Sequence, residues 1–188
     1  MLVASYFLAT FGFANFESTL SLLTKDSFGF TDDQNFLIFA FVGFVLVFVQ
    51  GGIYRPIAHR FSEVTFIRIG VLFMMIGLGG VAAVAATSQA GATGTGNLIA
   101  FLGAMAVAIT GFAFLNPSVS ALISRRSDPA RQGEVLGVNQ SANAMSRILG
   151  PLIGNTLYRM TSNHVLPYEV AAVLLLIVLL LTPRLKAS

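Results

Sequence analysis

The chain has no cysteine, no tryptophan and only two histidines, and charged residues make up 10% of its 188 positions. Without cysteine there is neither a disulfide framework nor a thiolate to act as nucleophile or soft metal ligand. The histidines, His59 and His164, fall on opposite faces of the topology derived below, so they cannot share a metal; with no cysteine either, a zinc enzyme is not expected, nor is any metal or cofactor. A lack of tryptophan removes the usual anchor at a membrane–water boundary and leaves Tyr54, Tyr158 and Tyr168, near the ends of apolar segments, to form that belt. Soluble domains carry about 25% charged residues. With 55% hydrophobic residues and 17 phenylalanines, this chain reads instead as a membrane protein whose solvent is lipid. The net charge of +3 and pI near 9.7 come from basic residues scattered between apolar runs. They read as topology signals, and nucleic acid is not an expected partner.

A spanning helix needs about 20 mostly apolar residues, and six stretches meet that need: 2–23, 35–54, 64–87, 97–124, 133–158 and 165–183. Together they make residues 1–188 one transmembrane domain. Loop punctuation separates them, in Lys25 to Asp33, Arg55-Pro56, Gln89 to Gly96 and Arg125 to Pro129. Thr31-Asp32-Asp33 is a helix start for the second span. The glycines at 77, 79 and 80 leave the outer end of the third span vague. Met1 opens directly onto Leu2-Val3-Ala4 with no positive leader, so the first segment is expected to stay in the membrane. Counting Lys and Arg on alternate sides, Arg55, Arg60, Arg68, Arg125, Arg126, Arg131, Arg184 and Lys186 face one way, and Lys25 and Arg159 the other. The positive-inside rule puts the richer side, with both chain ends, in the cytoplasm.

Two charges interrupt the middle of apolar stretches: Glu17 in the first and Arg147 in the fifth. A charge at the bilayer centre costs at least about 2.5–3.5 kcal/mol, so it normally faces a bundle interior or an aqueous cavity and has a partner. Counted from the cytoplasmic ends, Glu17 lies about 22 Å deep and Arg147 about 21 Å deep; from the outer ends the depths are about 11 Å and about 17 Å. Tilt and two long side chains absorb the mismatch, so the two are expected to pair. Gln140, Asn143, Arg147, Gly150 and Gly154 share one helical face, as do Thr10, Ala14, Glu17 and Ser21. These faces line an aqueous path on the functional reading, or hold helices together on the structural one. A carboxyl there takes up a proton more readily when desolvated and less readily beside a guanidinium, which makes Glu17 a candidate proton carrier; a static bridge fixing two helices is the alternative. Asn116-Pro117 interrupts the fourth segment, where proline removes a backbone hydrogen bond and supplies a kink usable for gating.

Small residues recur every four positions at Ala100, Ala104 and Ala108, at Gly133, Gly137 and Ser141, and at Gly150 and Gly154, a spacing that lets helix backbones approach closely in lipid. The two rows in the fifth segment predict a buried, closely packed helix, with Pro151 beside Gly150 in the contact. Gly77-Leu78-Gly79-Gly80-Val81-Ala82 has the form of a dinucleotide-binding turn, but it sits inside a span with no preceding strand, so that reading fails its context.

The run Asn116-Pro117-Ser118-Val119-Ser120-Ala121-Leu122-Ile123-Ser124-Arg125, then Gln132-Gly133-Glu134-Val135-Leu136-Gly137, Gln140-Ser141 and Arg147-Ile148-Leu149-Gly150-Pro151 resembles spans ten and eleven of the major facilitator superfamily. The closest likeness is to its drug/proton antiporter branch, which includes the tetracycline exporters. Glu17-Ser18-Thr19-Leu20 and the turn from Gly51-Gly52-Ile53-Tyr54-Arg55-Pro56 to Arg60 resemble span seven and the loop between spans eight and nine. Arg55 and Pro56 stand where the superfamily's turn motif usually has an acidic residue, as in its degenerate second copy. The resemblance implies an all-α membrane protein whose six transmembrane helices form the C-terminal half of a twelve-span fold, multi-pass in the plasma (inner) membrane, and not an enzyme. It implies proton-coupled efflux of small amphipathic molecules, with Glu17, Arg147, Asn143, Gln140 and Asn116 on the substrate and proton pathway and Gly133, Gly137, Gly150, Pro151 and Gly154 packing helices. Its expected partners are lipid, protons, a small-molecule substrate, and an N-terminal six-helix half or a second copy. A sugar or metabolite carrier of the same superfamily and a non-transporting six-helix scaffold are the alternatives. Since the chain is free of cysteine, single cysteines placed at Ser127 and Thr93 should react with an impermeant maleimide from opposite sides of the membrane; labelling from one side would overturn the topology.

Overall fold

A computed structural model describes residues 2–89, 94–162 and 164–182. Among these are six helices: α1 Leu2–Phe28, α2 Asp32–Ile57, α3 Glu63–Gln89, α4 Thr95–Arg126, α5 Gln132–Met160 and α6 Leu166–Leu181. They match the six apolar stretches and run a few residues past most of them. Ala90 to Thr93 in the glycine-rich link, Pro183 at the end of the sixth stretch, Arg184 and Lys186 lie outside the described residues.

Local signals explain the ends. Gly29, at φ +67°, closes α1, and the amides of Gly29 and Phe30 return to the carbonyls of Lys25 and Thr24, as a left-handed cap requires. Thr31 starts α2 through a reciprocal capping box with Gln34, and Asp32 and Asp33 complement the helix dipole. The Arg55-Pro56 link, expected as a loop, is helical: α2 passes through a π-helical stretch, Val49–Tyr54, and continues to Ile57. Pro56 has no N–H to return to the preceding turn, and the wider π-helical turn just before it is where the helix absorbs that loss. The glycines at 77, 79 and 80 do not fray α3, which runs through them.

By length and composition α2, α3 and α4 are apolar enough to cross a membrane, and α6 is apolar but shorter. The two long helices outside that set, α1 with 27 residues and α5 with 29, each measure about 40 Å. They carry Glu17 and Arg147, and they pack along one another.

The most extensive interface joins α3 to α4, and α6 lies against both α1 and α3. Close approach explains the first contact. A Cβ on Gly70 would sit 2.7 Å from the Gly111 carbonyl, and one on Gly80 would meet the Ala104 methyl at 3.0 Å; a Cβ on Gly77 would collide with the Ala108 backbone. Ala104 and Ala108 therefore pack as their spacing predicts, whereas Ala100 is exposed. Around this contact the buried Met74, Leu78, Val81, Phe101, Met105 and Ile109 fill the core, and Phe13 of α1 stacks on Phe112 of α4 at 4.0 Å.

Two expectations are corrected. The fifth segment is not a buried helix: α5 buries Asn139, Ser146, Gly150, Gly154 and Tyr158 along one seam, while Gly133 and Gly137 face open space and Ser141 is exposed. The two small-residue rows occupy different faces, because Ser141 and Gly150, nine residues apart, are roughly 180° apart around the helix. The tyrosines do not form a boundary belt either. Tyr158 and Tyr168 are 3% and 0% exposed, and Tyr54 accepts a hydrogen bond from Ser118 at 3.0 Å; each hydroxyl is used between helices, which is what a buried phenol requires.

Gly77→Ala and Gly111→Ala should each destabilise the protein by about 1–3 kcal/mol through overpacking. Gly133→Ala and Gly137→Ala should be neutral or stabilise by up to about 1 kcal/mol through helix propensity. Thermal unfolding in detergent reads both, and the opposite ranking would refute the packing.

Candidate functional site

The site is built on the seam between α1 and α5, which run parallel. A Cβ on Gly150 would lie 2.5 Å from the Ala14 methyl, and one on Gly154 would lie 2.6 Å from Asn15 Oδ1. Lower on the seam, Ser146 Oγ donates to the Phe7 carbonyl at 3.0 Å. These contacts set the register that carries Arg147 to Glu17. Nη1 of Arg147 stands 3.9 Å from Oε2 of Glu17, with the two side chains 52% and 42% exposed. At that separation the pair is a charge contact rather than a formed hydrogen bond. Both side chains are left about half uncovered by the six helices, so this bundle does not enclose the pair.

The remaining polar residues divide around this pair. Gly150 and Gly154 lie in the seam, and Pro151 is half-buried beside them. Asn143 is half-buried and Gln140 exposed, their side chains joined by a long 3.5 Å contact. Asn116 belongs to α4, and the Tyr6 hydroxyl of α1 donates a short hydrogen bond to its Oδ1. Thr10 and Ala14 are buried, whereas Ser21 is half-buried. Gly133 and Gly137 take no part.

Sequence reasoning missed several members. Asn15 is fully buried, and its amide nitrogen donates to the Phe11 carbonyl at 2.9 Å; Thr19 Oγ1 donates to the Tyr168 hydroxyl at 3.0 Å. Both belong to the polar run Asn15 to Thr19 around Glu17, which was a visible signal. Tyr6 and the buried Asn139 had none, because a lone phenol or amide in an apolar segment does not announce its partner.

Other polar contacts close the two ends of the bundle. At one end Tyr158 donates to Asp26 Oδ2 at 2.8 Å, and the His164 ring stacks on Tyr158 at 4.4 Å. At the other, Arg125 pairs with Glu63 at 3.0 Å, and Arg131 pairs with Glu134 at 2.8 Å. Among the described residues no group of His, Asp and Glu side chains is arranged to hold a metal ion.

The family profile described as Major Facilitator Superfamily matches residues 2–187. The chain belongs to that superfamily. It is 29% identical over 96% of its length to Major facilitator superfamily domain-containing protein 10 of Mus musculus, covering 37% of that protein. It is 25% identical over 96% of its length to Multidrug resistance protein 1 of Bacillus subtilis, covering 43% of it. The structure superposes on a crystal structure of a peptide transporter POT mutant in complex with sulfate, with a TM-score of 0.80 at 20% identity, over 97% of this chain and 36% of that one. The chain thus spans less than half the length of these relatives, and its six helices have the form of half a major facilitator fold.

Exchanging Glu17→Gln and Arg147→Gln singly and together should give non-additive changes in stability, with a coupling near the lower end of about 0.5–3 kcal/mol because the pair is half exposed. A double-mutant cycle on thermal unfolding in detergent measures it, and additivity would remove the pair as an interaction.

Proposed function

We propose that this chain supplies six helices to a proton-coupled secondary transporter that exports small amphipathic molecules. The observation that carries the reading is the half-exposed Glu17–Arg147 contact at 3.9 Å, placed on the two least apolar of the long helices. A carboxyl there exchanges a proton with water and trades its charge partner as it does so, which is the minimum a coupling group needs. Asn116, Asn143 and Gln140 extend the same polar path. The efflux direction and the amphipathic substrate class rest on likeness to proteins named for multidrug resistance in Bacillus subtilis.

The six helices work as one unit against a second half-bundle, either an N-terminal six-helix half or another copy of this chain, with the substrate held between them as transporter sites generally are. The unit sits in the plasma membrane, with its arginine-rich end, near Arg60, Arg125 and Arg131, in the cytoplasm.

Vesicles containing this chain alone should show no proton-driven flux of ethidium. Vesicles containing it with its partner half should concentrate the dye against a gradient when a pH difference is imposed, and Glu17→Gln, which removes the group that gains and loses the proton, should reduce that flux to the level of protein-free vesicles. Undiminished proton-driven flux in the Glu17→Gln variant would end the coupling role.

A further inference from the structure

Glu17 and Tyr6 lie 11 positions apart on α1, about 16 Å along its axis and within roughly 20° of the same stripe. Arg147 enters between them. Its neighbour Ser146 hydrogen-bonds the Phe7 carbonyl, and Gly150, three residues on, meets Ala14, so the Arg147 backbone sits above Tyr6 and below Glu17. The guanidinium is within electrostatic reach of the Tyr6 hydroxyl. That hydroxyl is buried, and its hydrogen is committed to Asn116 Oδ1. Thr10 also stands at that oxygen, and because a phenol that donates its hydrogen has two lone pairs, one remains to accept from a cation. The 3.9 Å approach of Arg147 to Glu17 leaves the guanidinium short of a full set of acceptors.

We propose that Tyr6 is the second anchor of Arg147: when Glu17 takes up a proton and releases the guanidinium, the Tyr6 hydroxyl, held in place by Asn116, receives it. Tyr6 is then a positioning residue, and the inference rests on the coupling role given to Glu17 above. The exchange passes the state of Glu17 to α4, because Asn116 adjoins Pro117 inside that helix, where the missing N–H leaves the backbone able to bend. Arg147 is the charged group that meets Glu17 across the seam. Helix α3 carries no titratable side chain between Arg68 and Gln89, α4 none between Thr95 and Ser124, and α2 none between Asn35 and Ile53. Helix α6 contributes Tyr168, engaged with Thr19, and the exposed Glu169 near its start.

The test uses the transporter assembled with its partner half and two readouts. In the first, thermal unfolding in detergent is compared for Tyr6→Phe, Glu17→Gln and the double variant. Glutamine at 17 imitates the released state, so Tyr6→Phe should lower the melting temperature at least twofold more in that background than in the native one. Equal effects would overturn the proposal. In the second, proton-driven ethidium efflux is followed against pH. Loss of the Tyr6 hydroxyl penalises the protonated-Glu17 state, so the midpoint for Tyr6→Phe should move about one unit to lower pH, and Asn116→Leu should move it in the same direction by less; an unmoved or alkaline midpoint would overturn it. Coupled melting temperatures together with intact efflux in Glu17→Gln would refute the coupling role of Glu17 while leaving the Tyr6–Arg147 exchange standing.

Discussion

The close approach of α1 and α5 sets the geometry on which the site depends. Gly150 and Gly154 present backbone to Ala14 and Asn15, and a methyl group at either position would fill the space. In lipid the attraction between apolar faces gives helices little reason to choose one partner, so small residues that allow dense contact decide which faces meet. That contact fixes the register. From the register follows the reach of Arg147 to Glu17, and the two most polar long helices come to share one seam.

The other helices form the support. The antiparallel pair of α3 and α4 is joined at Gly70, Gly77, Gly80 and Gly111 by the same device, and its side chains pack around α1 with Phe13 stacked on Phe112. Helix α1 touches each of the other five. Part of the polar stripe on the most central helix is used between helices or on its own backbone, Thr19 with Tyr168, Thr24 with Asn35 and the Asn15 amide nitrogen with Phe11, while the buried Ser5 and Ser27 hydroxyls have no such partner. Glu17, the group that cannot be satisfied that way, is the one left half exposed.

The aromatic hydroxyls take up a function that the composition alone assigns differently. Tyr158 and Tyr168 stand near segment ends, where an amphipathic ring usually meets headgroups, yet both turn inward to Asp26 and Thr19. Each supplies a hydrogen bond across helices in a region where water is scarce and an unpaired polar group is expensive. Tyr6 does the same toward Asn116, so three of the four tyrosines tie α1 to a neighbour.

The apolar runs were sufficient to locate six helices, because a helix satisfies its own backbone hydrogen bonds in lipid and its length is dictated by the bilayer. The isolated charges at 17 and 147 were legible as a pair for the same reason, since neither is tolerable alone. Which small-residue row packs was not legible: Gly133, Gly137 and Gly150, Gly154 have the same spacing, and only the second faces a neighbour. Nor was the helical path through Arg55 and Pro56, or the partner of Tyr6. Spacing along a chain is a property of one helix, whereas contact depends on the rotation and height of two, and those were decided only when the helices packed.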